Sequence, residues 1–225
     1  MRMPVSPGGV AGVFLALALL SPATAHGQRE STIEIEFTNA NLVPPHWVMK
    51  IHPDGSGEYD SEKGQPAPSQ TSQLTVGSIH RTIQLSADFA ERVFATARAR
   101  KLFEFPCESH LKVAFQGLKK LSYSGPDGSG SCEFNYSKDK EIQALGDSLV
   151  GVAGTILEGA RLEMLLVHDR LGLDREMEYL LEASQDGRIQ QVCAIRDILE
   201  RLAEDEGVME RVRKRARILL AKTER

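Results

Sequence analysis

The chain has 225 residues, with 27 Lys and Arg against 31 Asp and Glu, a formal net charge of −4. That balance excludes the broad basic surface that nucleic acid binding needs. The length supports one good hydrophobic core, or one core with a smaller helical appendage.

Arg2, the apolar run Val10–Leu20 and Ala23-Thr24-Ala25 have the three parts of a secretory signal peptide, with cleavage expected before His26. The apolar run is about eleven residues, short of the roughly 20 that span a bilayer. No Cys stands directly after Ala25, where a lipoprotein anchor would need one, and no later run is long enough to span. Residues 1–25 are therefore read as the signal, and the mature chain as a soluble protein of the periplasm or the extracellular space without a transmembrane segment. Loss of Arg2 takes its charge to about −5.

Ile33, Ile35 and Phe37 alternate with Glu34 and Glu36, the period of a half-buried strand. After Pro44-Pro45 a second strand places Trp47, Met49 and Ile51 on one face and His46, Lys50 and His52 on the other. Trp47 is read as core rather than as an exposed stacking platform. Pro53-Asp54-Gly55-Ser56-Gly57 recurs as Pro126-Asp127-Gly128-Ser129-Gly130. In each copy Pro presets a turn, Asp bonds its own backbone and Gly accepts positive φ, so both predict hairpins. Glu62 to Gln73 reads as a loop without function. Thr82–Leu85 predicts a short strand, and Ser86 caps a helix that buries Phe89, Val93, Phe94 and Ala97 and ends near Leu102. A further short strand is open at Val113–Phe115. Lys119–Ser124 and Ser131–Ser137 form the second hairpin.

From Asp139 the period becomes helical. Ile142, Leu145, Leu149, Val152 and Ile156 make one stripe, and Gly151, Thr155 and Gly159 sit four apart on the same helix. Those two glycines signal either the close approach of another backbone or a tolerated accident. Asp174 is expected to cap a helix through Leu181. Val192, Ile195, Leu199 and Leu202 stripe the next helix, and Met209, Val212, Ala216, Leu219 and Leu220 the last. The resulting fold class is α+β: an antiparallel sheet of hairpins with one or two packed helices, over residues 26–158, then an all-helical region over 159–225.

Of Cys107, Cys132 and Cys193, the first two lie in the β-rich region and the third in a helical pattern. In an oxidising compartment Cys107–Cys132 is the expected disulfide, contributing about 3–4 kcal/mol in the chain-entropy model. Cys193 reads as a buried apolar residue.

No residue cluster names a reaction. His46 and His52 share a strand face about 20 Å apart, too far for one ion. Each Asp-Gly-Ser-Gly turn carries one carboxylate where a calcium loop needs several. Gly-x-Ser-x-Gly and P-loop patterns are absent from the sequence. No cofactor or metal is expected, and no catalytic residue is assigned. Arg211, Arg213, Lys214, Arg215 and Arg217 form the one dense basic run. Arg211, Lys214 and Arg215 are candidates for a binding surface, against the plainer reading that base at a helix end suits its dipole.

Val212-Arg213-Lys214-Arg215-Ala216-Arg217-Ile218-Leu219-Leu220 resembles a HEAT-like helical repeat. One such unit does not make a solenoid, which needs about three. The N-terminal part, with its His52-Pro53-Asp54-Gly55 turn and strand–helix–hairpin order, resembles secreted bacterial α+β domains to which no activity is attached. The expectation is a non-enzymatic module that binds a protein partner in the cell envelope, with the helical tail as contact surface. The alternative is an envelope hydrolase built from sequence-distant groups such as His46, His80, His110 or His168 with carboxylates. A structural protein that self-associates is a third reading.

Overall fold

The computed structural model describes Met1, residues 30–63 and residues 76–223. The segment expected to be a signal peptide, beyond Met1, and all but the start of the loop expected at 62–73 lie outside the described residues.

The fold is α+β. Six antiparallel strands, β1 (Thr32–Thr38), β2 (His46–Ile51), β3 (Ser56–Ser61), β4 (Ile79–Gln84), β5 (Leu118–Gly125) and β6 (Gly128–Phe134), order as β4-β3-β2-β1-β5-β6. The period-two pattern sets the register: Ile35 lies between Met49 of β2 and Leu121 of β5, and Phe37 opposite Trp47. All of these are buried against helices α1 (Ala87–Ala99) and α2 (Lys140–His168). Trp47, 4% exposed and stacked on Phe37 at 5.2 Å, is core, as its alternation requires. Ser86 Oγ accepts the Phe89 amide at the start of α1, and Asp139 accepts the Glu141 and Ile142 amides at the start of α2.

The repeated pentamer makes two different turns. At β2–β3, Gly55 takes φ +82° and Asp54 accepts from the amide and hydroxyl of Ser56. At β5–β6, Gly125 pairs directly with Gly128, and Asp127 instead accepts the Tyr123 hydroxyl. Identical residues diverge because their flanks differ: Tyr123 lies within reach of one Asp, and no tyrosine reaches the other.

α2 is continuous through position 159 and serves two cores. Its first half, to Ile156, completes the core under the sheet. Leu162, Leu165 and Leu166 pack with α3 (Gly172–Gln185), α4 (Arg196–Glu204) and α5 (Glu210–Leu220). The Gly151, Thr155, Gly159 stripe faces the chain at 190–195: Thr155 Oγ1 donates to the Gln190 carbonyl at 2.5 Å, and a Cβ on Gly159 would collide with the Ile195 side chain. The two glycines are thus packed by side chains, Gly151 by Gln190 and Gly159 by Ile195, and the neighbouring backbone approaches at Thr155 instead.

Three local expectations change. Asp174 sits inside the first turn of α3, and Asp169 instead accepts the Gly172 amide. Cys193 lies in a 3₁₀ turn, Val192–Ile195, half-exposed, because the backbone must tighten there to follow α2 before α4 begins. Val113–Phe115 forms no strand.

Candidate functional site: a clamped apolar loop

After α1 the backbone enters a 3₁₀ turn, Lys101–Phe103, whose three residues all take positive φ, 50°, 55° and 68°. For residues with a side chain this costs roughly 1–2 kcal/mol each. The turn packs against β6, where a Cβ on Gly130 would collide with the Leu102 carbonyl. It lies over the buried face of that strand, the face that Gly130 shares with Cys132 and Phe134, and the Cys107–Cys132 bond, the pairing expected from the region the two cysteines share, then fastens the chain to it.

The segment beyond Cys107 is held at both ends. Ser109 donates its amide to the Tyr136 carbonyl at 2.9 Å. Glu108 accepts the amide of Asn135 at 2.7 Å and that of His110 at 3.0 Å. Asn135 in turn accepts the Gln116 amide at 2.8 Å and donates to the Ala114 carbonyl at 3.2 Å. Lys119, buried beside the Phe134 ring, donates to the Asn135 carbonyl at 3.3 Å, and burial holds its pKa below the ordinary lysine value. The Asn135 amide, reinforced by that of His110, holds the Glu108 carboxyl below the usual carboxylate range. Its contribution is therefore present at neutral pH and is lost as acid titrates it through that lowered value.

Between these fastenings, residues 110–116 are all exposed. Leu111 is 50%, Val113 43% and Phe115 58% accessible, and Leu42 in the β1–β2 loop, at the same end of the sheet, is 49%. The alternation Leu111, Val113, Phe115 is strand-like, yet His110 is left-handed and the Val113 amide closes a tight turn on the Leu111 carbonyl. Among the described residues no strand pairs with it. The amides of Lys112, Ala114 and Phe115 have no partner among the described residues. The loop presents three apolar side chains and free backbone donors on a frame fixed by a disulfide and a carboxylate–amide network. The sequence suggests a strand at Val113–Phe115 and gives no sign of Glu108 and Asn135, whose roles emerge only when β6 brings them together.

The basic candidates are placed differently. Arg211 and Arg215 both bond Asp174, at 2.6 and 2.5 Å, and Arg215 reaches Glu178 at 3.4 Å, so they fasten α5 to α3. Burial alone would raise the Asp174 carboxyl, but Arg215 and Arg211 outweigh it and hold it low. Lys214 is exposed and has no ion pair among the described residues. Arg211, although exposed, and Arg215 thus serve contacts within the molecule, and Lys214 alone of the three has no ion pair among the described residues.

The histidines do not converge. His46 lies on β2 between Glu36 and Glu62 at 3.2 and 3.3 Å, and His80 on β4 bonds Asp60, which raises its pKa. His110 belongs to the loop and His168 ends α2. The His80–Asp60 pair resembles the orienting half of a nucleophile-activating arrangement, but among the described residues no Ser or Cys bonds the other ring nitrogen. A nearby open groove of about 590 Å³, between β4 and α2, is occupied across its floor by Arg81 bonded to Glu163 and Asp197. Among the described residues no group of three His, Cys, Asp or Glu could hold a metal, and no helix is long and apolar enough to cross a membrane. Compared with known proteins, the sequence matches no family model, and none of the curated proteins is similar to it.

Proposed function

We propose that this is an exported, non-enzymatic protein-binding module whose contact surface is the loop 110–116. The observation that carries the reading is the exposure of Leu111, Val113 and Phe115 on a backbone fastened at both ends. Isolated exposed apolar side chains are ordinary, but three within five residues of a loop fastened at both ends are what an interface anchor needs. The fastening removes in advance the ordering cost that a mobile loop would bring to binding. A protein partner suits the loop better than an anionic membrane, because the neighbouring sheet face is acidic and would be repelled by such lipids. Export to an oxidising compartment agrees with the Cys107–Cys132 bond.

A photoreactive phenylalanine analogue in place of Phe115, in the protein exported by its own cells, should yield one discrete crosslinked protein, and the same analogue in place of Lys214 none. A crosslink from position 214 with none from 115 would move the contact to the helical tail and overturn this assignment.

A further inference from the structure

Helices cover one face of the sheet. The other face, among the described residues, is covered by nothing: its positions on β1 to β6 are half-exposed or exposed along every strand. It carries Glu34, Glu36, Glu58, Asp60, Glu133 and, just beyond β3, Glu62. Against these six carboxylates stand two lysines, Lys50 and Lys120, and two histidines, His46 bonded to Glu36 and Glu62 and His80 bonded to Asp60. With both histidines neutral, the face carries an excess of four negative charges, which gives it an acidic field of its own.

We propose that this open face is a docking surface for an extended, lysine- or arginine-rich protein segment. It is a different surface from the loop, and the inference does not rest on the loop's role. In lateral register, Glu36, Val48, Asp60 and His80 form one row from β1 to β4, and Glu34, Lys50, Glu58 and Thr82 the next. Strands about 4.8 Å apart, with same-face residues about 6.8 Å apart, present carboxylates at the pitch of cations on an extended chain. Lys50 neutralises Glu34 at 3.8 Å and Lys120 neutralises Glu36 at 3.4 Å, while Glu58 and Glu133 have no ion pair among the described residues. A second copy of this chain would meet the face with the same sign of charge, and no metal-ligating group of three is present among the described residues. A cationic polypeptide is the occupant that the charge complements.

The test is a chemical-shift titration of the isotope-labelled mature chain with a deca-lysine peptide. Shifts should concentrate on the strand amides, those of β3 and β6 beside Glu58 and Glu133 included, and leave residues 110–116 in place. Affinity should fall about tenfold from low salt to physiological salt. Glu58→Gln with Glu133→Gln should weaken binding about threefold while the remaining spectrum stays native. Shifts spread over the helices or confined to the loop, an unchanged affinity in the double variant, or shifts of the same residues with calcium chloride but none with deca-lysine would each overturn the proposal. Crosslinking at position 115 reads the loop separately, so either surface can fail alone.

Discussion

Glu158 on α2 and Glu176 on α3 face each other across the contact of these helices, and Arg161 bonds Glu176 at 3.1 Å. One arginine cannot neutralise two carboxylates, and an oxygen of Glu158 is buried without a partner. Burial first, and the Glu176 carboxyl second, push the Glu158 pKa up to about 8. The sign follows from proton binding: between its ordinary value of 4.5 and about 8 the folded chain keeps a proton that the unfolded chain has lost. The stability this group contributes is complete below the lower value and disappears as pH rises through the upper one. Glu158→Gln should flatten that dependence and unfold later than the parent at alkaline pH, by ~1–3 kcal/mol in denaturant titrations. Parallel stability–pH curves for the two proteins would show that the carboxyl pair is already ionised in the fold.

At the scale of elements, α2 joins the two cores, and its glycines differ in purpose. Gly159 lies against Ile195, whereas nothing stands within 4 Å of a Cβ at Gly154. Gly159→Ala should therefore cost about 1–3 kcal/mol, since overpacking outweighs the gain in helix propensity. Gly154→Ala on the same helix should stabilise by about 0.5–1 kcal/mol. Thermal unfolding that shifts both variants in the same direction would remove the packing explanation. The ion pairs at Asp174 follow the same logic of contact. Seen as a helical wheel, Arg211 and Arg215 belong to a solvated face; in the folded chain that face borders the first turn of α3.

At the scale of the molecule, strands and helices were legible wherever a period repeats. Ile33 to Phe37 and Ile142 to Ile156 announce their elements because burial on one face must recur at 2.0 or 3.6 residues. The Cys107–Cys132 bond was legible from the region its cysteines share. Residues 104–117 were not, because their conformation comes from elsewhere: three left-handed residues made tolerable by Gly130, a carboxylate seated on Asn135, and Gly117 stacked beneath Phe37. Val113–Phe115 has the alternation of a strand but pairs with none among the described residues. The open face was half legible, since the alternation of Glu34 and Glu36 reveals a solvent side but not the carboxylates that β3 and β6 bring to it.

Amide hydrogen exchange on the mature chain, alone and with the envelope fraction of cells that make it, tests the central claim most directly. Alone, the amides of Lys112, Ala114 and Phe115 should exchange quickly while those of β1 and β5 are protected. With the fraction added, residues 110–116 should slow about tenfold or more. Protection that arises instead around Lys214, or nowhere on the chain, would contradict the assignment of the loop as the binding surface.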